Sequence, residues 1–182
     1  MAIQTPICNF GEKANDFNLL STEGNNLSLS DIKGENGTLI MFICNHCPYV
    51  KSVINSIVND TKYLESFGIK SAAIMSNDPN QYPEDSFDNM KLFSQNNNFV
   101  FPYVYDETQE VGMKYNAVCT PDFFGFNSNN ELQYRGRLEE SKIEIIPNAH
   151  KELLEAMIQI AETGKGPIKQ IPSIGCSIKW KE

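Results

Sequence analysis

The fold is decided by residues 38–51, which read TLIMFICNHCPYVK. The run opens with seven apolar or small residues, a pattern typical of a β-strand that is covered on both faces. Pro48 then opens a predicted helix, in which apolar residues recur at three- and four-residue spacing until Gly68 ends it. A second apolar run follows over residues 69–75. The order predicts a β-α-β unit over residues 38–76, with parallel strands and a right-handed crossover.

The rest of the chain divides into four segments with different local patterns. Residues 11–37 are predicted to form an extension of short strands, and residues 77–116 a less regular insert. Residues 117–164 are predicted to form a β-β-α segment, and residues 165–182 a tail too rich in glycine and proline for regular structure. Together with the β-α-β unit they predict one α/β domain over residues 1–182, with a mixed central sheet flanked by helices.

The β-β-α segment carries the clearest signals outside the first unit. Strands are predicted over residues 122–126 and 132–137, because the asparagine-rich stretch between them suits a hairpin connection. The last helix is predicted to begin near Pro147, a favoured first-turn residue, and to end at Gly164. In the insert, a helix is predicted over residues 83–97.

The composition excludes several classes of function. The chain has 182 residues, and its 15 Lys and Arg against 23 Asp and Glu give a net charge of −8, which argues against binding to nucleic acid or an anionic membrane. No apolar run approaches the roughly 20 residues of a membrane span, and the first residues do not resemble a signal peptide. Five cysteines, an odd number, do not suggest a framework of structural disulfides. We therefore expect a cytoplasmic protein.

The chemistry is predicted to lie in the motif Cys44-Asn45-His46-Cys47. A thiol at a helix N-terminus has a lowered pKa, because unpaired backbone N–H groups stabilise the thiolate. We expect Cys44 to be the more exposed, reactive sulfur and Cys47, one helical turn further, to be the buried resolving partner. His46 adds positive charge beside the thiolate.

A second signal is Thr120-Pro121, where a proline at a strand start is a candidate for a cis peptide bond. Cys119, directly before this pair, is expected to approach the two-cysteine motif, and the sequence favours neither a functional nor a packing role for it. Cys176 lies in the tail among apolar residues, where a buried structural role is slightly favoured over a redox role.

These motifs together resemble the thioredoxin superfamily, in which a cis-proline faces a C-x-x-C pair and helps to position a substrate disulfide; Pro121 is the matching position. The N-terminal extension is similar to that of the peroxiredoxin branch, of the alkyl hydroperoxide reductase and thiol-specific antioxidant (AhpC/TSA) type. The motifs CNHCPYVK, CTPDFF, YRGR and the C-terminal GCSIKW resemble a peroxiredoxin-like subgroup, and the resemblance covers residues 11–181.

The sequence departs from the peroxiredoxin pattern at the donors that a peroxide site requires. The branch carries P-x-x-x-T-x-x-C, and alignment of Cys47 with its last position puts Ile40 at the proline and Cys44 at the threonine. The arginine of the family, expected just before the strand at Asp122, is absent. Because such donors polarise the O–O bond, their loss disfavours peroxidase activity.

Three functions remain open from the sequence. The first is a thiol–disulfide oxidoreductase in which Cys44 attacks a substrate disulfide, Cys47 resolves the mixed disulfide, and a cellular thiol restores the pair. The second is a thiol peroxidase with Cys47 as the peroxidatic thiol and Cys176 or Cys119 as a resolving thiol. The third is a metal-binding protein without turnover, using Cys44, Cys47 and His46 with one further cysteine. The leading hypothesis requires no cofactor and no metal.

Overall fold

The computed structural model describes residues 1–182 and places ten strands in two sheets. The strands are β1 Ala2–Gln4, β2 Asn18–Ser21, β3 Asn26–Ser28, β4 Gly37–Phe42, β5 Ile69–Met75, β6 Tyr103–Tyr105, β7 Cys119–Thr120, β8 Asp122–Asn127, β9 Leu132–Tyr134 and β10 Ile174–Ser177. The main sheet has the order β3-β2-β6-β5-β4-β8-β9, and the second sheet has the order β1-β10-β7. β5 pairs in parallel with β4 and β6, and the other pairs are antiparallel, so the mixed sheet is as predicted.

Five α-helices flank the sheets. They are α1 Leu29–Ile32, α2 Pro48–Leu64, α3 Phe87–Asn96, α4 Glu110–Lys114 and α5 Glu152–Thr163. Short 3-10 helices span Glu65–Phe67 and Pro83–Asp85. Gly68 ends the helical stretch after α2 with a φ of 73°, in the left-handed region that glycine adopts freely, as the sequence predicted. None of the helices combines the length and the apolar character that crossing a membrane requires.

Strand β4 is central because both of its faces are buried. Leu39 and Met41 belong to one apolar cluster, which contains the inward faces of α2 and α5, whereas Ile40 and Phe42 belong to the cluster on the opposite side. Alternate side chains of a strand point to opposite faces, so a strand covered on both sides reads as a continuous apolar run. The prediction from residues 38–44 is confirmed on this point.

The insert is more closely integrated than its sequence suggests. Strand β6 lies beside β5 in the main sheet, and the 3-10 helix Pro83–Asp85 lies against the turn that contains the two-cysteine motif. The predicted helix over residues 83–97 begins later, as α3, because Ser86 has an extended ψ of 155° and caps it through its hydroxyl.

Two expectations for the C-terminal region are wrong. The last helix begins at Glu152 and not near Pro147, because Asn148 adopts a positive φ of 56° that an α-helix cannot contain. The tail is not wholly irregular, since β10 pairs with β7 on one side and with β1 on the other. Residues 174–177 contain no proline, and Gly175 allows a close approach: a Cβ there would lie 2.0 Å from the Thr120 carbonyl oxygen.

Candidate active site

The two cysteines of the C-x-x-C motif lie in the turn that joins β4 to α2. The helix begins at Pro48, and Cys47 is its N-cap, with φ −65° and ψ 123°. Proline is favoured at the first helical position, and it forces the preceding residue into an extended conformation. Cys44 therefore lies three residues before the helix cap, and the prediction that it occupies the helix N-terminus is wrong. Cys47 takes that place.

Thr120 is the residue that connects the two sulfurs. Its hydroxyl oxygen lies 3.3 Å from Cys44 Sγ, and its carbonyl oxygen accepts a hydrogen bond from the Cys47 thiol at 3.1 Å. The Thr120–Pro121 peptide bond is cis, as the sequence predicted. Strand β7 thus brings the Thr-Pro pair against the C-x-x-C turn.

Both sulfurs are covered. Cys44 is 1% exposed and Cys47 is fully buried, and both belong to the apolar cluster between α2, α5 and the main sheet. The prediction that Cys44 is the exposed sulfur is therefore wrong, because the turn from Asn45 to Cys47 is held down by the insert, which the sequence did not place. All five cysteines are free thiols in this structure.

Cys47 lies where donors converge. The Cys44 thiol donates to its sulfur and lowers the pKa of Cys47; burial opposes this, and the Thr120 hydroxyl and the N–H and S–H of Cys176 lower the pKa further, to about 5. The lowered pKa favours the thiolate form at Cys47 in the reduced pair.

Cys44 has the opposite character. Its hydrogen bond to Cys47 raises the pKa of the Cys44 thiol well above the ordinary value; burial and the negative charge of Asp85 raise it further, and the Thr120 hydroxyl only partly opposes them. The expectation that Cys44 has a lowered pKa is wrong. The sequence reasoning assumed a helix N-terminus at Cys44 and did not foresee a buried carboxylate beside it.

Asp85 is the main site residue that the sequence did not indicate. It is fully buried at the end of the 3-10 helix Pro83–Asp85. Its Oδ1 accepts hydrogen bonds from the backbone N–H groups of Asn45 and His46, and its Oδ2 accepts from the Asn77 side chain. His46 Nδ1 lies 2.6 Å from Oδ2 and 3.8 Å from Cys44 Sγ. An acidic residue in an irregular segment gives no local signal of such a position.

Aromatic residues of the insert and of β6 complete this side of the site. The Tyr103 hydroxyl donates to the Asn45 side-chain oxygen at 2.9 Å, and the Asn45 amide donates to the Glu84 carbonyl. The ring of His46 stacks on that of Tyr82, with centroids 5.2 Å apart and planes 13° apart. The turn is therefore fixed by contacts from residues 82–85 and from β6.

Cys176 approaches the pair from the other side. It lies directly opposite Thr120 in the β7–β10 pair, and α2 packs against β10. Burial raises the pKa of Cys176 to about 11, and its contact with Cys47 contributes, although Lys179 opposes the shift. Unlike Cys44 and Cys47, Cys176 is partly exposed. The sequence slightly favoured a structural role for Cys176 because it contained no sign of strand β10.

Cys119 is buried, and its sulfur lies 3.5 Å from the Pro121 carbonyl oxygen. Adjacent residues of a strand point to opposite faces, so Cys119 points away from the face on which Thr120 contacts Cys44. Burial and the charge of Asp122 raise the pKa of the Cys119 thiol. These two effects disfavour the thiolate form of Cys119.

Both arginines of the chain are engaged elsewhere. Arg135 is buried and donates to Asp122 through its Nε and through Nη2, the latter at 2.9 Å. Arg137 forms an ion pair with Glu152. Neither arginine forms a hydrogen bond with the sulfur of Cys44 or Cys47. The donor that a peroxiredoxin places at its reactive sulfur is therefore not supplied from another part of the chain.

One group of side chains could hold a metal ion. Ligand atoms of Cys44, His46 and Asp85 all lie within 4.8 Å of one another, and a sulfur, nitrogen and oxygen set is compatible with zinc. The set differs from the predicted one, since Asp85 replaces Cys47 and the further cysteine. The Asp85 carboxylate already receives three hydrogen bonds and the contact with His46, so a metal ion would have to displace one of these partners.

A cavity of about 120 Å³ lies beside the cis-proline. Pro121, Tyr49 of the first turn of α2, and Ser173 and Ile174 of the tail are among the residues that line it. The Ser173 hydroxyl donates to the Pro121 carbonyl at 2.8 Å, which ties the tail to this wall. The cavity adjoins both elements that carry Cys47 and its neighbours.

Comparison with known proteins places these features in a family context. The sequence model of the AhpC/TSA family matches residues 10–135, which include the C-x-x-C motif and the Thr-Pro pair. No curated protein gave a match.

Solved structures resemble the chain over nearly its whole length. An uncharacterised conserved protein from Geobacillus kaustophilus is 43% identical, with a TM-score of 0.93, and the match covers 100% of this chain and 97% of that one. A hypothetical protein from Sinorhizobium meliloti is 31% identical, with a TM-score of 0.91 and 98% coverage of both chains. The thioredoxin domain of a thiol-disulfide oxidoreductase from Bacteroides vulgatus is 16% identical, with a TM-score of 0.59 and coverage of 73% and 89%, respectively, which shows the fold alone. The predicted thioredoxin-like fold is confirmed.

Proposed function

The chain belongs to the AhpC/TSA family, and from this premise and the geometry of the cysteine site we propose that it is a thiol–disulfide oxidoreductase that uses the Cys44/Cys47 pair. The observation that carries the proposal is the geometry of two buried sulfurs that both contact Thr120 beside a cis-proline, with Cys47 at the N-cap of α2. The pKa of Cys47 is lowered and that of Cys44 is raised, which favours the thiolate at Cys47. Disulfide exchange requires one thiolate that attacks and a second sulfur that resolves.

In the proposed reaction the Cys47 thiolate attacks one sulfur of a substrate disulfide. A Cys47–substrate disulfide forms, and the other substrate sulfur leaves as a thiolate and takes a proton. Cys44 then loses its proton and attacks Cys47, which releases the second substrate thiol and leaves a Cys44–Cys47 disulfide. Two electrons pass from the protein to the substrate. This keeps the pair predicted from the sequence and reverses its order, because donors converge on Cys47.

His46 and Asp85 are proposed to position the charge at Cys44. A carboxylate can only accept hydrogen bonds, so the His46 Nδ1–H donates to Asp85 at 2.6 Å. The same nitrogen lies 3.8 Å from Cys44 Sγ, so the imidazole packs beside the sulfur while its Nδ1–H is held by Asp85. The attachment of Asp85 to the backbone of Asn45 and His46 fixes this arrangement.

The substrate is proposed to be a protein or small-molecule disulfide, and a cellular thiol is proposed to restore the pair. The cavity beside Pro121 supports this, because it offers room next to the cis-proline for a side chain of the substrate. The thiol-disulfide oxidoreductase among the structural neighbours has the same fold, which is compatible with the proposal.

The test is a single-turnover reaction of the reduced protein with a peptide disulfide. We expect one equivalent of peptide to be reduced and a disulfide to form within the tryptic peptide 34–51, which contains both cysteines of the motif. Cys8→Ser, at a partly exposed thiol outside the site, is the control that should behave like the unmodified protein. Absence of peptide reduction by the reduced protein would refute the proposal.

A thiol peroxidase is the second candidate, because the family includes thiol-specific antioxidants and Cys47 is a buried thiolate with a hydroxyl donor. The ion pairs that engage Arg135 and Arg137 weigh against it. Hydrogen peroxide offered to the reduced protein separates the two functions. Consumption of peroxide that is far faster than exchange with the peptide disulfide, and that is lost in Cys47→Ser, would favour the peroxidase.

A further inference from the structure

The partly exposed Cys176 is the only sulfur near Cys47 that the proposed exchange does not use. In an antiparallel pair, residues that lie directly opposite each other project their side chains to the same face. Cys176 lies opposite Thr120, whose side chain contacts Cys44. Cys176 therefore points to the face on which Cys44 lies, and it packs against the apolar cluster that contains Cys44 and Cys47.

The sulfur of Cys47 thus lies between two possible partners. Cys44 and Cys47 are both buried, so of the three sulfurs Cys176 is the one that an external thiol reaches most readily. Cys176 is partly exposed at the edge of the same cluster. A bond from Cys47 to Cys176 would place an oxidised sulfur where a reductant can reach it.

We propose that Cys176 is a third redox residue, which takes over the bond to Cys47 and carries the oxidised state from the buried pair to the surface. The inference rests on the proposed function and extends it to the step in which the enzyme is reduced again. Cys176 is then the residue that the reducing thiol attacks first.

Each step balances without an additional oxidant. The Cys176 thiolate attacks Cys47, the Cys44–Cys47 bond breaks, and Cys44 leaves as a thiolate that takes a proton. An external thiolate then attacks Cys176 and displaces the Cys47 thiolate. A second external thiol resolves that mixed disulfide and releases Cys176, so two external thiols supply two electrons.

The charges near Cys176 favour this order. In the reduced protein the pKa of Cys176 is raised by burial, by its hydrogen bond to Cys47 and by the negative charge of Cys47. Once Cys47 is in a disulfide it carries no charge, so that part of the shift disappears while the effect of Lys179 remains. Cys176 therefore becomes a better nucleophile only after the buried pair has been oxidised.

The glycine before Cys176 is what allows the approach. A Cβ at Gly175 would lie 2.0 Å from the Thr120 carbonyl oxygen, which belongs to the backbone and cannot rotate away. Gly175→Ala should therefore move β10 away from β7 and separate Cys176 from Cys47 without removing any sulfur. It provides a second variant that acts through distance alone.

The first test is disulfide mapping in Cys44→Ser. The variant is oxidised with diamide, alkylated and digested with trypsin, which places Cys47 in peptide 34–51 and Cys176 in peptide 170–179. We expect these two peptides to be joined, and we expect the joined species to decrease at least tenfold when Gly175→Ala is added. Free Cys176 in the oxidised variant would overturn the proposal, whatever the activity of the protein.

The second test separates the two halves of the catalytic cycle, with glutathione as the reducing thiol. Both half-reactions are measured in Cys176→Ser, and re-reduction by glutathione should slow at least tenfold more than reduction of the peptide disulfide. Cys119→Ser, whose side chain points to the other face, is the matched control and should show no such slowing. Re-reduction of Cys176→Ser at the unmodified rate would refute the role of Cys176. Failure of the peptide half-reaction in the unmodified protein would instead refute the proposed function, and disulfide mapping would still decide the role of Cys176.

Discussion

The two sides of the Cys44–Cys47 pair differ in the charge that they favour. The hydrogen bond between the two sulfurs is the largest cause of both shifts, since it raises the pKa of Cys44 and lowers that of Cys47. On the Cys44 side, burial and the carboxylate of Asp85, which the insert supplies, raise the pKa of the thiol further. On the Cys47 side, burial opposes the shift, and Thr120 and Cys176 of strands β7 and β10 lower the pKa further. The elements packed against the pair thus favour the thiolate at Cys47.

This difference has a topological origin. The donors on the Cys47 side come from a small sheet that joins the tail to the Thr-Pro strand. The carboxylate on the Cys44 side comes from a 3-10 helix that is anchored to the turn by two backbone hydrogen bonds. Asp85 acts on Cys44 and is not among the groups that act on Cys47, whereas Thr120 contacts both sulfurs, so substitutions at these two residues have different expected effects.

The largest effect is expected from removal of the individual sulfurs. Cys47→Ser should lose formation of a mixed disulfide with a peptide disulfide by about 10³-fold or more, because burial and the charge of Asp85 still raise the pKa of the remaining Cys44. Cys44→Ser should still form the adduct at Cys47 and then accumulate it. Acid quenching followed by mass spectrometry of peptide 34–51 measures both species. Rapid adduct formation in Cys47→Ser would show that the roles are reversed.

Next in size is the effect of Asp85→Asn on stability. The asparagine side chain would place an NH₂ donor among the donors that now bond to the Asp85 carboxylate. We therefore expect the free energy of unfolding, measured with urea, to fall by about 3 kcal/mol or more. Removal of the charge should also lower the pH at which Cys44 ionises, because that charge raises the pKa of Cys44.

Asp122→Asn is the matched control for this prediction. Asp122 is equally buried, but it pairs with Arg135 on the other side of the sheet. Its loss should also destabilise the protein by about 3–5 kcal/mol, since Arg135 loses its partner. The substitution should not change the pH at which Cys44 ionises. An equal change in that titration in both variants would contradict a local effect of Asp85.

A smaller effect is expected from Thr120→Val, which removes the hydroxyl and keeps the shape and the carbonyl. The hydroxyl is one of the donors that lower the pKa of Cys47, so we expect the midpoint of the Cys47 titration to rise by roughly one pH unit. Thr120→Ser retains the hydroxyl and should restore the original midpoint. In the unmodified protein, the rate of exchange with a peptide disulfide should rise with pH around pH 5, as Cys47 ionises, and then level off. No change of midpoint in Thr120→Val would exclude the hydroxyl as a donor.

The sequence was sufficient for features that depend on neighbours along the chain. The apolar run before Cys44 predicted a strand covered on both faces, and the Thr-Pro pair predicted the cis peptide bond. The sequence could not locate Asp85, because its position depends on hydrogen bonds to a turn 40 residues earlier. It also missed β10, since the pairing of Cys176 with Thr120 joins distant parts of the chain. The resulting acidities could not be predicted from the motif alone.

The most direct test of the central claim is the titration of the reduced protein labelled with ¹³C at the cysteine Cβ positions, followed by NMR. The chemical shift reports the protonation of each sulfur even when the sulfur is buried, so limited access does not affect the result. We expect Cys47 to titrate near pH 5, and Cys44 to remain protonated well above its ordinary range. A Cys44 signal that titrates at low pH while Cys47 stays protonated would contradict the assignment of the thiolate to Cys47.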